Sequence, residues 1–184
     1  IHPLRPVGAE DQVVLGTALS VTREFAPLIT GIFVAGRSGS AIAARIGTMT
    51  ISQEIDALRV IGINPVRYLV SPILAAMLLT LPALTVMSDL LALLGGALYC
   101  AGELSLPLPI FFARTFESLV AADALQGVYK SLIFAIVITM IGAVNGFGVT
   151  AGAEGVGRAT TRAVVLGSIG IILADMVFTF LTSR

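Results

Sequence analysis

Long apolar runs separated by short polar clusters dominate the chain. A hydrocarbon layer about 30 Å thick takes roughly 20 apolar helical residues to cross, and four stretches reach that length: 13–36, 72–100, 131–150 and 163–182. Arg23 and Glu24 interrupt the first, whereas the other three carry only Asp89, Asn145 and Asp175 as strongly polar positions. Pro27, Pro72 and Pro82 predict bends in the first two, because proline removes a backbone donor and clashes with the preceding turn. The pattern predicts an all-α integral membrane protein, a polytopic bundle with four membrane helices in this chain.

Residues 37–68 form an island of charge between the first two runs and are expected to be exposed to water. Within it Ile51, Ile55 and Leu58 recur at helical spacing, while Gln53, Glu54, Asp56 and Arg59 fall on other faces. Thr50 with Gln53 fits a capping box, and Gly62 with Asn64-Pro65 fits a stop, which predicts a short amphipathic helix of about ten residues. One reading makes it an interfacial anchor tying two spans together. The other makes it a cytoplasmic coupling helix docked in a groove on a partner.

Composition supports the membrane assignment. Hydrophobic residues make up 57% of the chain and charged residues 12%, against roughly 45–50% and about 25% in soluble domains. Net charge is zero and Lys130 is the only lysine, so no basic face for nucleic acid is present. Cys100 is the single cysteine and cannot form an internal disulfide. A start at Ile1 without signal-peptide features reads as part of a longer or processed protein.

Charge also predicts orientation, because cytoplasmic loops carry more Lys and Arg. Arg37, Arg45, Arg59 and Arg67 follow the first span, Arg114 and Lys130 the second, and Arg158 and Arg162 the third. High, low, high places the 37–68 and 151–162 loops together in the cytoplasm. Small residues suggest close helix packing: Gly142 and Gly146, Gly148 and Gly152, Gly95-Gly96, and Gly31 with Ala35 predict a compact bundle and a second copy of the chain.

Intramembrane charges cost about 2.5–3.5 kcal/mol each at a helix centre on insertion scales, so they face protein or water. Arg23 and Glu24 point about 100° apart on a helix, and Asp89 and Asp175 are candidate partners for Arg23. The group reads either as a buried ion pair that fixes packing or as the polar lining of a substrate cavity. His2 is the only histidine, which leaves a Ser-His hydrolase or a His-ligated metal site little to build with. Asp89 and Asp175 lack the Gly-x-Gly-Asp setting of an intramembrane aspartyl protease. No Gly-x-x-x-x-Gly-Lys-[Ser/Thr] is present, so any ATP, with its Mg, is expected on another chain.

Four segments carry a resemblance: Arg23-Glu24-Phe25-Ala26-Pro27; Ala35-Gly36-Arg37-Ser38-Gly39-Ser40-Ala41; Ile55-Asp56-Ala57-Leu58-Arg59 with Asn64-Pro65; and Gly152-Ala153-Glu154-Gly155-Val156-Gly157-Arg158-Ala159-Thr160-Thr161-Arg162-Ala163-Val164-Val165. Over nearly all of its length the chain resembles the MlaE/YrbE family of ABC-transporter permeases. The resemblance implies a single permease domain over 1–184. It further implies a homodimer working with a cytoplasmic ATPase and an MCE-domain protein to move phospholipids or related lipids between envelope membranes. The expected location is the bacterial inner membrane, or a chloroplast inner envelope. Family members have five membrane helices after an interfacial helix, so this chain would lack the interfacial helix and the first span.

On this reading Gln53, Glu54, Asp56 and Arg59, helped by Glu154 and Arg158, transmit the ATPase's push. Arg23 is the candidate for gripping a lipid phosphate with its guanidinium; Glu24, Asp89, Asn145 and Asp175 are the other intramembrane polar candidates. Two departures stand out. Ala44-Arg45-Ile46-Gly47 carries an arginine where the family usually has a glutamate, and Gln53-Glu54-Ile55-Asp56 replaces the usual Glu-Gln-Ile-Asp. The rival reading is an ion-coupled secondary transporter or channel using Asp89, Asp175 and Glu24.

Overall fold

Every strong apolar run becomes a helix, and the described residues contain no strand. The computed structural model describes residue 16 and residues 24–103, 107–118, 121–150 and 152–182. His2 and Arg23 lie outside the described residues.

The first membrane helix, α1, is Ala26–Ile51. It runs past the expected end at 36 and absorbs the first half of the 37–68 island, while most of the expected 13–23 lies outside the described residues. The charges do not end it because Arg37, Ala41, Arg45 and Thr48 make one exposed stripe, while Ala35, Gly39, Ile42, Ala43, Ile46 and Gly47 are buried on the opposite side. A helix with one buried face continues through charges kept on the other. At Ala35–Gly39 the helix widens into a π turn, where the Ser40 hydroxyl donates to the carbonyls of Gly36 and Arg37. Pro27 stands at the start of the regular α segment, just after a π-helical Glu24-Phe25.

After α1 comes the short α2, Glu54–Val60. A π turn at Val66–Val70 leads into α3, Ser71–Glu103. Then follow α4, Leu108–Ser118, α5, Ala121–Phe147, and α6, Gly152–Thr182. Four of these stretches have the length and apolarity to cross a membrane: Ala26–Ile51, Val66–Gly102, Leu125–Phe147 and Gly152–Thr182. The expected 151–162 loop is instead the first three turns of α6, so α5 and α6 are joined by 148–151 alone. Pro82 is the one proline inside α3's interior.

The membrane helices meet in one core of Ala35, Met77, Leu81, Phe134, Ala135, Ile138 and Ile171, contributed by α1, α3, α5 and α6. Large apolar side chains also cover the outside, among them Leu79, Leu91, Leu98, Leu166, Ile172 and Phe180, as expected where the solvent is hydrocarbon. Moving such a side chain from acyl chains to protein gains little, so packing depends on close contact. Glycines supply it. A Cβ at Gly142 would lie 3.0 Å from the Gly39 carbonyl oxygen and 3.1 Å from Ile42, and one at Gly146 would lie 2.7 Å from the Ile46 Cβ. This seam seats α1 against α5 within one chain, so it offers no surface to a second copy. Gly31 against Phe134, Gly47 against Val149 and Gly170 against Val137 are equally tight. Gly152, in contrast, has open space around it and a φ of +44°, and Gly148 meets only the carbonyls of its own helix end; neither packs one helix on another.

Candidate functional site

Two groups of polar residues stand at opposite ends of the bundle. The first is centred on Lys130, whose side chain is 0% exposed although α5 carries it inside a membrane span. Its Nζ donates to Glu24 Oε2 at 2.7 Å and to Thr179 Oγ1 at 2.9 Å. Asp175 Oδ1 lies 3.0 Å from the same nitrogen. That oxygen makes no hydrogen bond, so the contact is one of charge without an aligned N–H. Thr179 Oγ1 is within 3.3 Å of Glu24 Oε1 as a donor, closing a ring of polar contacts. Phe178 lies beneath the ammonium, 5.7 Å from ring centroid to Nζ.

Sequence reasoning placed Lys130 in a loop, one residue outside the expected span 131–150. It belongs to the helix because α5 begins at Ala121. The signal was available: ten mostly apolar residues precede Lys130, and it is the chain's one lysine. The expected pairing of Asp175 with Arg23 lies outside the described residues; among the described residues its cation is Lys130. Asp89 joins no ion pair among the described residues, and its buried Oδ1 has no hydrogen-bond partner. Asn145 is not with these residues. It donates to the Ile141 carbonyl one turn back on its own helix, at 2.8 Å, and stands two residues from the end of α5.

Depth follows from the rise of about 1.5 Å per residue. Lys130 is about 26 Å before the end of α5, and Asp175 about 34 Å beyond the start of α6. The charged cluster is therefore at the far end of the bundle from α2.

The second group is α2 and what surrounds it. The capping box does not form: Thr50 Oγ1 donates backward to the Ile46 carbonyl at 2.8 Å, and Gln53, the residue before α2, has a left-handed φ of 62°. That turn reverses the chain so that α2 folds against the end of α1. Ile55 is buried, 3% exposed, and anchors the helix; Gln53, Glu54, Asp56 and Arg59 stay exposed. Gly62, with φ +81°, ends it by a Schellman pair in which Ile63 N–H donates to Leu58 O at 2.9 Å and Gly62 N–H to Arg59 O at 3.0 Å. Asn64 does not serve the stop. Its Oδ1 accepts from the N–H groups of Val66 and Arg67 at 3.0 and 3.3 Å, capping the next helix with Pro65 at its first position.

Polar contacts run across this surface. Ser52 Oγ donates to Glu54 Oε1 at 2.8 Å, Arg59 pairs with Asp56 at 2.9 Å, and Arg158 approaches Glu154 at 3.7 Å one turn along α6. A hollow of 610 Å³ bounded by Arg59, Asn64, Pro65 and Phe147 separates α2 from the end of α5. Another, lined by Thr48, Ile51, Ser52, Ala153 and Val156, lies where α1 meets the start of α6. The two polar segments predicted to share one side of the membrane thus stand side by side.

The profile of the permease MlaE family matches residues 1–181. A probable ABC transporter permease protein of Rickettsia typhi is 37% identical over 171 residues, covering 93% of this chain and 66% of that protein. The Arabidopsis thaliana protein TRIGALACTOSYLDIACYLGLYCEROL 1, chloroplastic, is 40% identical over 160 residues, covering 87% of this chain and 46% of its own length. A probable ABC transporter permease protein of a Synechocystis strain is 37% identical over 164 residues, or 89% and 62% of the two chains. The chain thus spans about half to two thirds of the length of these relatives.

Proposed function

The chain belongs to the MlaE permease family, and from that premise we propose that it forms the membrane path of an ABC transporter for phospholipids or related lipids. A separate ATPase, holding ATP and Mg, drives two copies of the chain. An MCE-domain protein exchanges lipid with them on the other side of a bacterial inner membrane or a plastid envelope.

The observation that carries this reading is α2. It is a seven-residue helix fixed at its start by a left-handed turn and at its end by a Schellman pair, with its charged side chains turned to water. A helix this short is marginal alone; pinned at both ends, it presents a rigid surface to a docking partner. Gln53, Glu54, Asp56 and Arg59 make the contact, with Glu154 and Arg158 beside them. Arginine placement agrees with a cytoplasmic α2. Once Lys130 moves into a span, Arg59, Arg67, Arg158 and Arg162 stand at this end, and Arg114 alone in the segment between α3 and α5. A lipid cargo is in keeping with the galactolipid in the name of the plant relative.

At the opposite end, Glu24, Lys130 and Asp175 form polar lining where a headgroup enters, and Asp89 and Arg23 are further candidates for that role. The ion-coupled alternative draws on the same carboxylates. Lys130 weighs against it, since it already supplies a cation to two of the three.

The test is co-purification of the ATPase with the full-length parent protein in mild detergent. Glu54→Ala with Asp56→Ala is expected to lower the recovered ATPase severalfold while leaving the yield of the permease unchanged. Unaltered stoichiometry removes the coupling role of α2, and transport driven by an ion gradient without ATP removes the ABC reading.

A further inference from the structure

A cavity of 360 Å³ opens between the last turn of α5 and the first turns of α6, and of its lining the transport reading uses Arg158 alone. Val144, Asn145, Thr150, Ala159, Arg158 and Arg162 line it together with the 148–149 turn. At about 30 Å³ per water molecule, it would hold roughly a dozen waters, which is room for a phosphate with part of an alcohol headgroup.

Its charge is positive. Arg158 and Arg162 are one helical turn apart and both border the cavity, whereas Glu154 borders only the neighbouring hollow. Arg162 makes no ion pair with any described residue, and the Glu154 contact to Arg158 is long, 3.7 Å, between side chains that are 83% and 61% exposed. An exposed pair of that kind contributes little and yields readily to a competing anion. Asn145 spends one amide N–H on Ile141 and keeps a second.

Position selects the anion. Arg162 immediately precedes the apolar run that begins at Ala163, so it stands where the hydrocarbon ends and lipid phosphates begin. About 15 Å of α6 precedes it on the water side. Basic pockets between membrane helices on the cytoplasmic side hold anionic headgroups, and a guanidinium pair matches phosphate oxygens in geometry as well as charge.

We propose that the α5–α6 pocket is a binding site for the phosphate of an anionic phospholipid in the adjacent leaflet, separate from the transported cargo. The lipid ties the start of α6 to the membrane surface beside α2. The inference rests on the membrane placement of the helices and not on the ABC reading.

The test uses the full-length parent protein in nanodiscs of equimolar dioleoylphosphatidylglycerol and dioleoylphosphatidylcholine, with retained lipids counted by native mass spectrometry. The wild-type protein is expected to retain phosphatidylglycerol preferentially. R158Q with R162Q should lose roughly tenfold or more of that preference, and R158K with R162K, which keeps the charge, should lose less. Equal enrichment in wild type and the glutamine variant overturns the proposal, as does displacement of the lipid by millimolar inorganic phosphate. Loss of the ATPase from the glutamine variant with lipid enrichment unchanged also overturns it and makes the pocket a protein contact.

Discussion

Lys130→Met removes the cation from a site that holds two carboxylates. Glu24, Lys130 and Asp175 together carry a formal charge of −1, and without the lysine the charge is −2 with no counter-ion among the described residues. Removing one partner of a buried pair costs about 3–5 kcal/mol. The cost here should fall at the low end, because Glu24 is 39% exposed and can recover some hydration, whereas Asp175, at 15%, cannot. About 3 kcal/mol corresponds to a change of roughly 150-fold in the folding equilibrium. Glu24→Gln or Asp175→Asn alone should cost less, since Lys130 keeps one carboxylate in either case. Lys130→Met combined with both neutral replacements should recover most of the loss, because no uncompensated charge then remains. Reversible unfolding in mixed micelles, followed across the wild type and the four variants, gives the comparison. A Lys130→Met protein as stable as wild type, or one less damaged than Glu24→Gln, would refute the argument that the lysine neutralises the site.

Two further perturbations act on backbone geometry and packing. Gly146→Val places a Cβ 2.7 Å from Ile46 and is expected to cost about 1–3 kcal/mol through overpacking; the control Gly95→Ala, which meets nothing within 4 Å, should be neutral or gain up to about 1 kcal/mol from helix propensity. A larger loss at Gly95 in the same unfolding assay would show that a second copy covers it. Gln53→Gly should relieve the left-handed φ, worth about 1–2 kcal/mol, less the added freedom of the unfolded chain. Limited proteolysis at the α1–α2 turn should therefore be no faster than in wild type, and faster cleavage would contradict the relief.

The last three spans were legible because their apolar runs exceed what any soluble helix needs, and the end of α2 was legible because Gly62 is one of few residues that tolerate φ +81°. The first span runs past its expected end at 36 for a physical reason. Arg37 and Arg45 were read as breaking a membrane helix, but charge interrupts a span only if it must face lipid or the core. Here both stand on one stripe, a distinction that needs the positions of α5 and α6. The same limit hid the Lys130 site. Glu24, Lys130 and Asp175 are 106 and 45 residues apart in the chain, and no local pattern joins them. Gly142 and Gly146 were legible as a packing pair, but spacing does not say which helix fills the notch, and in the structure it is α1 of the same chain.

The reach of α1 has a mechanical consequence. It is one continuous rod from beside Glu24 to Ile51, gripped near Ala43 by the glycine seam of α5. Gly31 against Phe134 holds the other half of the rod as closely as the seam holds this one. Gripped at two places about 18 Å apart, it cannot swing about either, so a push at Ile51 travels along its axis toward Glu24. The π turn at Ala35–Gly39 lies between the two grips and is where that stroke is taken up by bending.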